Sequence, residues 1–173
     1  LIIISGEIDL SIASMIALTA VIFGTAYNAG IGMPMSIVIA LLSGTICGLF
    51  NGILVTQLQI PSIILTIGTL TLYRGIAQSL ASDFSLGGYP SWFIGIDYRY
   101  VGIVPIPVII FTVFAIVVGF FLSSTIYGKQ LYLIGTNPQT AKYSGIKVNR
   151  IKLLLFTLSG LVCGIAGVLT TSR

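Results

Sequence analysis

Charged residues are scarce in this chain of 173 residues. Eight Lys or Arg and four Asp or Glu make up only 7% of it, whereas hydrophobic residues make up 56% and the mean hydropathy is +1.10. A soluble domain has about a quarter of its residues charged. The composition therefore excludes a domain surrounded by water and indicates an integral membrane protein.

Histidine is absent and only two cysteines occur. Without histidine the chain lacks the most common metal ligand and general base. Cys47 and Cys163 each lie inside an apolar run, and their spacing is not that of a disulfide framework or a metal site. We therefore predict no metal site and interpret both cysteines as small packing residues.

Long apolar runs predict the fold class. Runs of about 18–22 residues suit transmembrane helices, whereas the strands of a membrane barrel are about ten residues long and alternate. We predict an all-α polytopic membrane protein, a helical bundle forming one domain over residues 1–173. About five full spans are expected, at 10–27, 35–56, 62–81, 106–124 and 151–171. The chain opens in one apolar run and stops where another ends, so we expect an internal piece of a longer protein.

Basic residues collect in the connection between the last two spans. Five of the eight lie in or beside residues 125–150, with no acidic residue among them: Lys129, Lys142, Lys147, Arg150 and Lys152. Positively charged connections face the cytoplasm, so we predict that residues 125–150 are cytoplasmic. Counting spans backward places residues 82–104 outside, "QLQIPS" inside, "YNAGIGMP" outside and "SGEID" inside.

Two carboxylates, Glu7 and Asp9, stand before a stretch of residues 10–73 that contains no charge. The predicted topology puts them at an inner turn, where Asp9 can accept an N–H from the first turn of the next helix. We interpret Asp9 as a helix cap. A contact with a cytoplasmic partner or a role in gating is the alternative. Catalysis by the pair is disfavoured, because side chains two positions apart on a helix diverge.

Two spans carry small residues at every fourth position. Gly44, Gly48 and Gly52 form a smooth stripe on one predicted helix, and Gly160 and Gly164 repeat the spacing on another. Such stripes let two helix backbones approach closely in a membrane. The pattern predicts helix packing and carries no chemistry.

Hydroxyl groups recur on one face of the span 62–81. Ser62, Thr66, Thr69 and Tyr73 are spaced so that they share a helix face. Each hydroxyl can simply bond its own helix backbone, but together they could line a path for a neutral, hydroxyl-rich solute. Asn51, an amide that is costly in lipid, is a further candidate for such a pathway.

The segment 135–145 predicts a short helix inside the basic connection. Asn137 suits the N-cap, Pro138 the first helical position and Gly145 the position just past the end. A helix of about two turns is marginal alone and must pack against something. It is either a surface element of a loop near anionic lipid or a docking element for a cytoplasmic partner.

The same segment resembles the coupling region of the ribose-type permeases of ABC importers, which carry a G-x-N-x-x-A-A-x-x-S-G-I pattern. The matching residues here are Gly135, Asn137, Ala141, Ser144, Gly145 and Ile146. "GEIDLSIAS" similarly resembles the family's G-G-I-D-L-S-V-G-S, although Glu7 stands where the family usually has glycine. "GLFNGILV", "IPSIILTIGTLTLYRG" and "SGLVCGIAG" also resemble family segments, so the likeness covers nearly the whole chain.

The resemblance implies the membrane subunit of a bacterial importer of a monosaccharide or related sugar, located in the inner membrane. It implies a second permease subunit, an extracellular sugar-binding protein and cytoplasmic ATP-binding subunits that hold ATP and Mg²⁺. Gly135, Asn137, Pro138, Ala141, Ser144 and Gly145 would then form the ATPase-coupling element. The chain contains no G-x-x-x-x-G-K-[ST] motif, so ATP hydrolysis would belong to a partner. We expect no cofactor in this chain and no nucleic-acid partner.

The main alternative is a secondary transporter of a small polar solute, driven by an ion gradient. Such proteins usually carry ionisable groups near the membrane midplane. Residues 10–73 and 100–128 contain no Asp, Glu, Lys or Arg, which disfavours that class. An intramembrane enzyme is less favoured still, since the chain has no histidine.

Overall fold

The computed structural model describes residues 1–81, 87–95 and 100–172. It is helical, with one short two-stranded ladder. A 3₁₀ turn at Ile3–Ser5 is followed by α1 (Ile12–Asn28), α2 (Met33–Thr56), α3 (Ser62–Ala81), β1 (Tyr100–Val101), β2 (Val104–Pro105), α4 (Ile106–Ser124), α5 (Ile126–Thr136), α6 (Pro138–Tyr143) and α7 (Val148–Thr171). The strands pair antiparallel. The predicted all-α class is confirmed.

Four helices of the described residues, α2, α3, α4 and α7, are long and apolar enough to cross a membrane. Their bounds agree with four of the predicted spans to within three residues. The fifth, α1, is apolar but has 17 residues. The span count predicted from the sequence is therefore approximate: four described helices have 19–24 residues, and α1 is shorter.

Helix α1 lies at the centre of the bundle and packs against α2, α3 and α7. The described residues form three buried clusters, one at each end of the bundle and one between. They are centred on Phe156 with Leu131, on Met15 with Tyr73, and on Phe23 with Phe93. Helix α4 contacts mainly α5 and β2 and has no buried residue. The bundle is therefore built from α1, α2, α3 and α7, with α4 at its margin.

The glycine stripes bring α2 and α7 into backbone contact. A Cβ on Gly48 would lie 2.9 Å from the Gly160 Cα, and one on Gly160 would lie 2.8 Å from the Gly48 Cα. Gly164 lies equally close to Leu41, with 3.0 Å from its Cβ position to the Leu41 Cα. No side chain fits between these backbones, so the predicted role of both stripes in helix packing is confirmed.

An ion pair and hydrogen bonds at the two ends of the bundle show which connections lie together. At one end, Glu7 pairs with Lys152 and the Asn149 amide donates to the Thr56 carbonyl at 3.0 Å. We call this the α6 end; it holds the 3₁₀ turn, the α2–α3 turn, α6 and the start of α7. At the opposite end, the Gly95 N–H donates to the Ser172 carbonyl at 3.0 Å.

Successive connections alternate between the two ends, as predicted by counting spans. "SGEID", "QLQIPS" and the connection 125–150 share the α6 end, and "YNAGIGMP" lies opposite with residues 87–95. Part of the predicted outer loop, at 82–86 and 96–99, lies outside the described residues. Which end faces the cytoplasm stays a prediction.

Candidate functional site

Helix α6 has the caps that the sequence predicts. The Asn137 side-chain oxygen accepts the N–H groups of Gln139 and Thr140, both at 3.0 Å, and Pro138 occupies the first helical position. At the other terminus Gly145 takes φ +80°. Its N–H donates to the Lys142 carbonyl and the Ile146 N–H to the Ala141 carbonyl, both at 3.1 Å. These paired bonds form a Schellman motif, which requires the left-handed conformation that glycine adopts readily.

One side of α6 is anchored and the rest is exposed. Ala141 is fully buried, whereas Asn137, Pro138, Ser144 and Gly145 are exposed. The Ser144 hydroxyl donates to the Thr140 carbonyl at 3.0 Å, within the helix. This six-residue helix is thus held by two caps and by the buried Ala141. Its remaining residues are exposed among the residues that the structure describes.

Gly135 has a different position from the rest of the predicted coupling set. It lies in α5, against the backbone of the 3₁₀ turn. A Cβ on this residue would collide with the Ile4 carbonyl oxygen. Gly135 thus permits close contact between α5 and the 3₁₀ turn, which Gly6 ends at φ +80°. Its structural role is to join α5, immediately before α6, to the start of the chain.

Helix α5 itself was missed by the sequence reasoning, which treated the residues before Asn137 as loop. The Thr125 hydroxyl oxygen accepts the Gly128 N–H at 3.1 Å and caps the helix. Gly128, Leu131 and Ile134 are buried at three-residue intervals. The cap and this interval were the available signals. Both signals are weak, because the helix has only 11 residues and lies within the basic connection.

Asp9 differs in detail from the predicted cap. Helix α1 begins at Ile12, with Ser11 as its N-cap residue and no side-chain cap bond. The Asp9 carboxylate accepts the Ser11 N–H at 2.9 Å and the Ser11 hydroxyl at 2.6 Å. The predicted direct bond to the first helical turn is therefore wrong: the helix begins three residues after Asp9, so the N–H two residues ahead belongs to Ser11, and the bond forms an Asx turn before the helix.

A buried chain of hydrogen bonds continues from Asp9 into the bundle. The Asn51 amide donates to the Ser11 hydroxyl oxygen at 2.9 Å, and the Tyr73 hydroxyl donates to the Asn51 side-chain oxygen at 3.0 Å. Ser11 and Asn51 are fully buried, and Tyr73 is 4% exposed. The other Asp9 oxygen, Oδ2, is buried without a partner among the described residues. These hydrogen bonds link residues of α2 and α3 to the turn before α1.

The hydroxyl face of α3 lies against α1 and the segment before it. Thr66 donates to the Ser62 carbonyl at 2.7 Å and Thr69 to the Thr66 carbonyl at 3.4 Å, both within α3. The Ile8 N–H donates to the Ser62 hydroxyl oxygen at 3.2 Å. Thr66, Thr69 and Tyr73 are buried, so they are closed to a solute in this conformation. Their role in a pathway stays a prediction.

The fold and these sites define a polytopic membrane protein whose spans are interrupted at one end by a capped, exposed helix. The chain belongs to the family of the branched-chain amino acid transport system permease component, whose model matches residues 1–173. This match confirms the resemblance to importer permeases that the sequence motifs carry.

Curated relatives agree with the family. The chain is 36% identical over 178 aligned residues to the autoinducer 2 import system permease protein LsrD of Escherichia coli K12, and equally to the LsrD proteins of Shigella flexneri and Escherichia coli O157:H7. The alignment covers 99% of this chain and 54% of each relative, so the chain spans about half their length. No solved structure matches the chain.

Proposed function

We propose that the chain is part of the membrane-spanning subunit of an ATP-driven importer in the bacterial inner membrane. The observation that carries the proposal is α6, a short helix capped at both termini and exposed at one end of the apolar bundle. A helix of this length keeps its shape only through its caps and contacts. Such a preformed helix suits docking to a partner protein.

The partners follow from the proposed role. Cytoplasmic ATP-binding subunits contact α6 and hold ATP with Mg²⁺. A second permease subunit, identical or related, completes the translocation path, and an extracellular binding protein delivers the solute. The chain itself catalyses no reaction, and the α6 end faces the cytoplasm, in accord with its basic residues.

The proposed substrate is a monosaccharide or a related sugar. Support comes from the resemblance to ribose-type permeases and from the relatives, whose names refer to import of autoinducer 2. Residues 10–73, which include α1, α2 and most of α3, contain no Asp, Glu, Lys or Arg that would bind a charged solute. A neutral, hydroxyl-rich solute is consistent with that composition.

The contacts around α6 suggest how a force on it reaches the bundle. Asn137 ends α5 and caps α6, so the two helices share one residue. Helix α5 in turn contacts the 3₁₀ turn through Gly135 and Ile4. A displacement of α6 by the ATP-binding subunits would therefore move α5 and, through the 3₁₀ turn, the segment leading into α1.

The test is to purify the full-length protein from its native membrane in mild detergent and identify what copurifies. We expect an ATP-binding subunit in stoichiometric amount. Gly145→Val should abolish this recovery, because a β-branched residue is strained at φ +80° and the helix end is lost. Gly30→Val is the matched control: Gly30 has φ +85°, with equally open surroundings, at the opposite end.

Both variants bear the same backbone strain, so only the docking role separates them. Loss of the partner with Gly145→Val and retention with Gly30→Val supports the proposal. Recovery of the protein alone, with solute uptake that stops when the ion gradient is dissipated, would instead establish the secondary transporter.

A further inference from the structure

A cleft of about 530 Å³ opens at the α6 end. One wall is the α2–α3 turn with Gln59 and Pro61, and the other is α6 with the start of α7. The connection between α2 and α3 is held there by the bond from Asn149 to the Thr56 carbonyl. The cleft is therefore part of the folded bundle and not a gap between loose segments.

The lining of the cleft is strongly basic. Four cationic residues line it, namely Lys142, Lys147, Arg150 and Lys152, against the single acidic residue Glu7. Glu7 is already paired with Lys152, and both side chains are only 15% exposed. Among the residues that the structure describes, no carboxylate pairs with Lys142, Lys147 or Arg150. Three positive charges therefore face one cavity without an anionic partner from the described chain.

A strained backbone position lies in the same lining. Gln59 has φ +55° and is the one described residue other than glycine with positive φ. Such conformations cost energy and occur where the surrounding structure imposes them, often at ligand-binding sites. Gln59 and Gln139 also line the cleft, and a glutamine amide can donate hydrogen bonds to an anion.

We propose that this cleft binds a phosphate group carried by an anionic ligand. A phosphate group carries more negative charge and more acceptor oxygens than a carboxylate, which matches several Lys and Arg side chains with neighbouring amide donors. The cavity of about 530 Å³ also has room for the body of a phosphoester. The ligand is either the headgroup of an anionic lipid, abundant in the cytoplasmic leaflet, or a soluble phosphorylated compound.

A bound ligand would touch α6, because Pro138, Gln139 and Lys142 line the cleft. Phosphate binding does not depend on the proposed importer function. If both hold, occupancy of the cleft alters the docking helix directly.

Native mass spectrometry of the full-length protein in detergent tests the site. One arm titrates phosphatidylglycerol against phosphatidylcholine as the lipid without net charge, and the other titrates inorganic pyrophosphate. We expect saturable binding in at least one arm, weakened about fivefold by Lys147→Gln or Arg150→Gln. Lys129→Gln is the matched control, because Lys129 is exposed in the same connection and does not line the cleft. Lys147→Arg, which keeps the charge, should retain binding.

The two titrations distinguish a lipid from a soluble ligand. Binding of phosphatidylglycerol alone assigns the site to lipid, and binding of pyrophosphate assigns it to a soluble ligand. The proposal is overturned if neither probe saturates or if Lys129→Gln weakens binding as much as Lys147→Gln. It is also overturned if ATP-binding subunits shield Lys147 from an amine reagent while neither phosphate probe competes, since the cleft would then be a protein contact.

Discussion

At the scale of single residues, the buried polar chain from Asp9 to Tyr73 is the feature that the sequence predicts least. Asp9, Ser11, Asn51 and Tyr73 could each be marked as unusual in an apolar environment. Their pairing could not, because Asn51 lies 40 positions from Ser11 and 22 from Tyr73. Such contacts depend on how α1, α2 and α3 pack, which the periodicity of each helix leaves open.

This chain of bonds makes a prediction for Asp9. Asp9→Asn keeps an oxygen that accepts from Ser11, so the protein should assemble with nearly unchanged stability. Asp9→Ala removes the acceptor for the Ser11 N–H and hydroxyl and should lower the free energy of unfolding by about 1–3 kcal/mol. Thermal unfolding of the detergent-solubilised protein measures both. Equal stability of the two variants would contradict the structural role given to the carboxylate.

At the scale of elements, the sequence predicts the long helices well and the short ones unevenly. The four longest apolar runs are bounded by turn residues such as Gly32, Pro34 and Pro61, and the helices begin and end near them. Helix α6 was predictable from Asn137 and Gly145, whose cap geometry depends only on neighbouring residues. Helix α5 was not predicted, because it has only 11 residues and its buried side packs against the 3₁₀ turn, which is distant in sequence.

The contact between α2 and α7 makes a second prediction. Gly48→Ala places a methyl group against the Gly160 backbone, at 2.9 Å from the Cα. It should destabilise the protein by about 1–3 kcal/mol, as overpacking does. Gly68→Ala, in α3 with open space around it, is the control and should be neutral or slightly stabilising, since alanine favours a helix by about 1 kcal/mol. Thermal unfolding of both variants measures these changes in stability. Equal changes in the two variants would show that α2 and α7 are not in close contact.

At the scale of the whole molecule, the structure brings the connections to the two ends in the grouping that counting spans predicts. This arrangement follows from counting alone once the helices are known. The position of α4 at the margin of the bundle could not be predicted, because its uniformly apolar surface gives no preferred face for packing. The grouping of helices around α1 likewise depends on contacts between distant segments.

The orientation makes a third prediction. In a variant with Cys47 and Cys163 replaced by alanine, Tyr143→Cys and Asn28→Cys place a thiol at opposite ends, Tyr143 being 87% exposed and Asn28 also exposed. A maleimide that does not cross membranes should label Asn28→Cys from outside the cell. It should label Tyr143→Cys only after the membrane is permeabilised. The reverse pattern would place the α6 end outside and exclude its docking to cytoplasmic ATP-binding subunits.

The glycine contacts between α2 and α7 also limit how the molecule can change shape. Where two backbones touch with no side chain between them, a small sliding movement has no rotamer change to absorb it, and the next side chain along either helix would collide. We therefore expect the two helices to move together. Any alternation between outward- and inward-facing states of the proposed importer should then take place at other helix contacts.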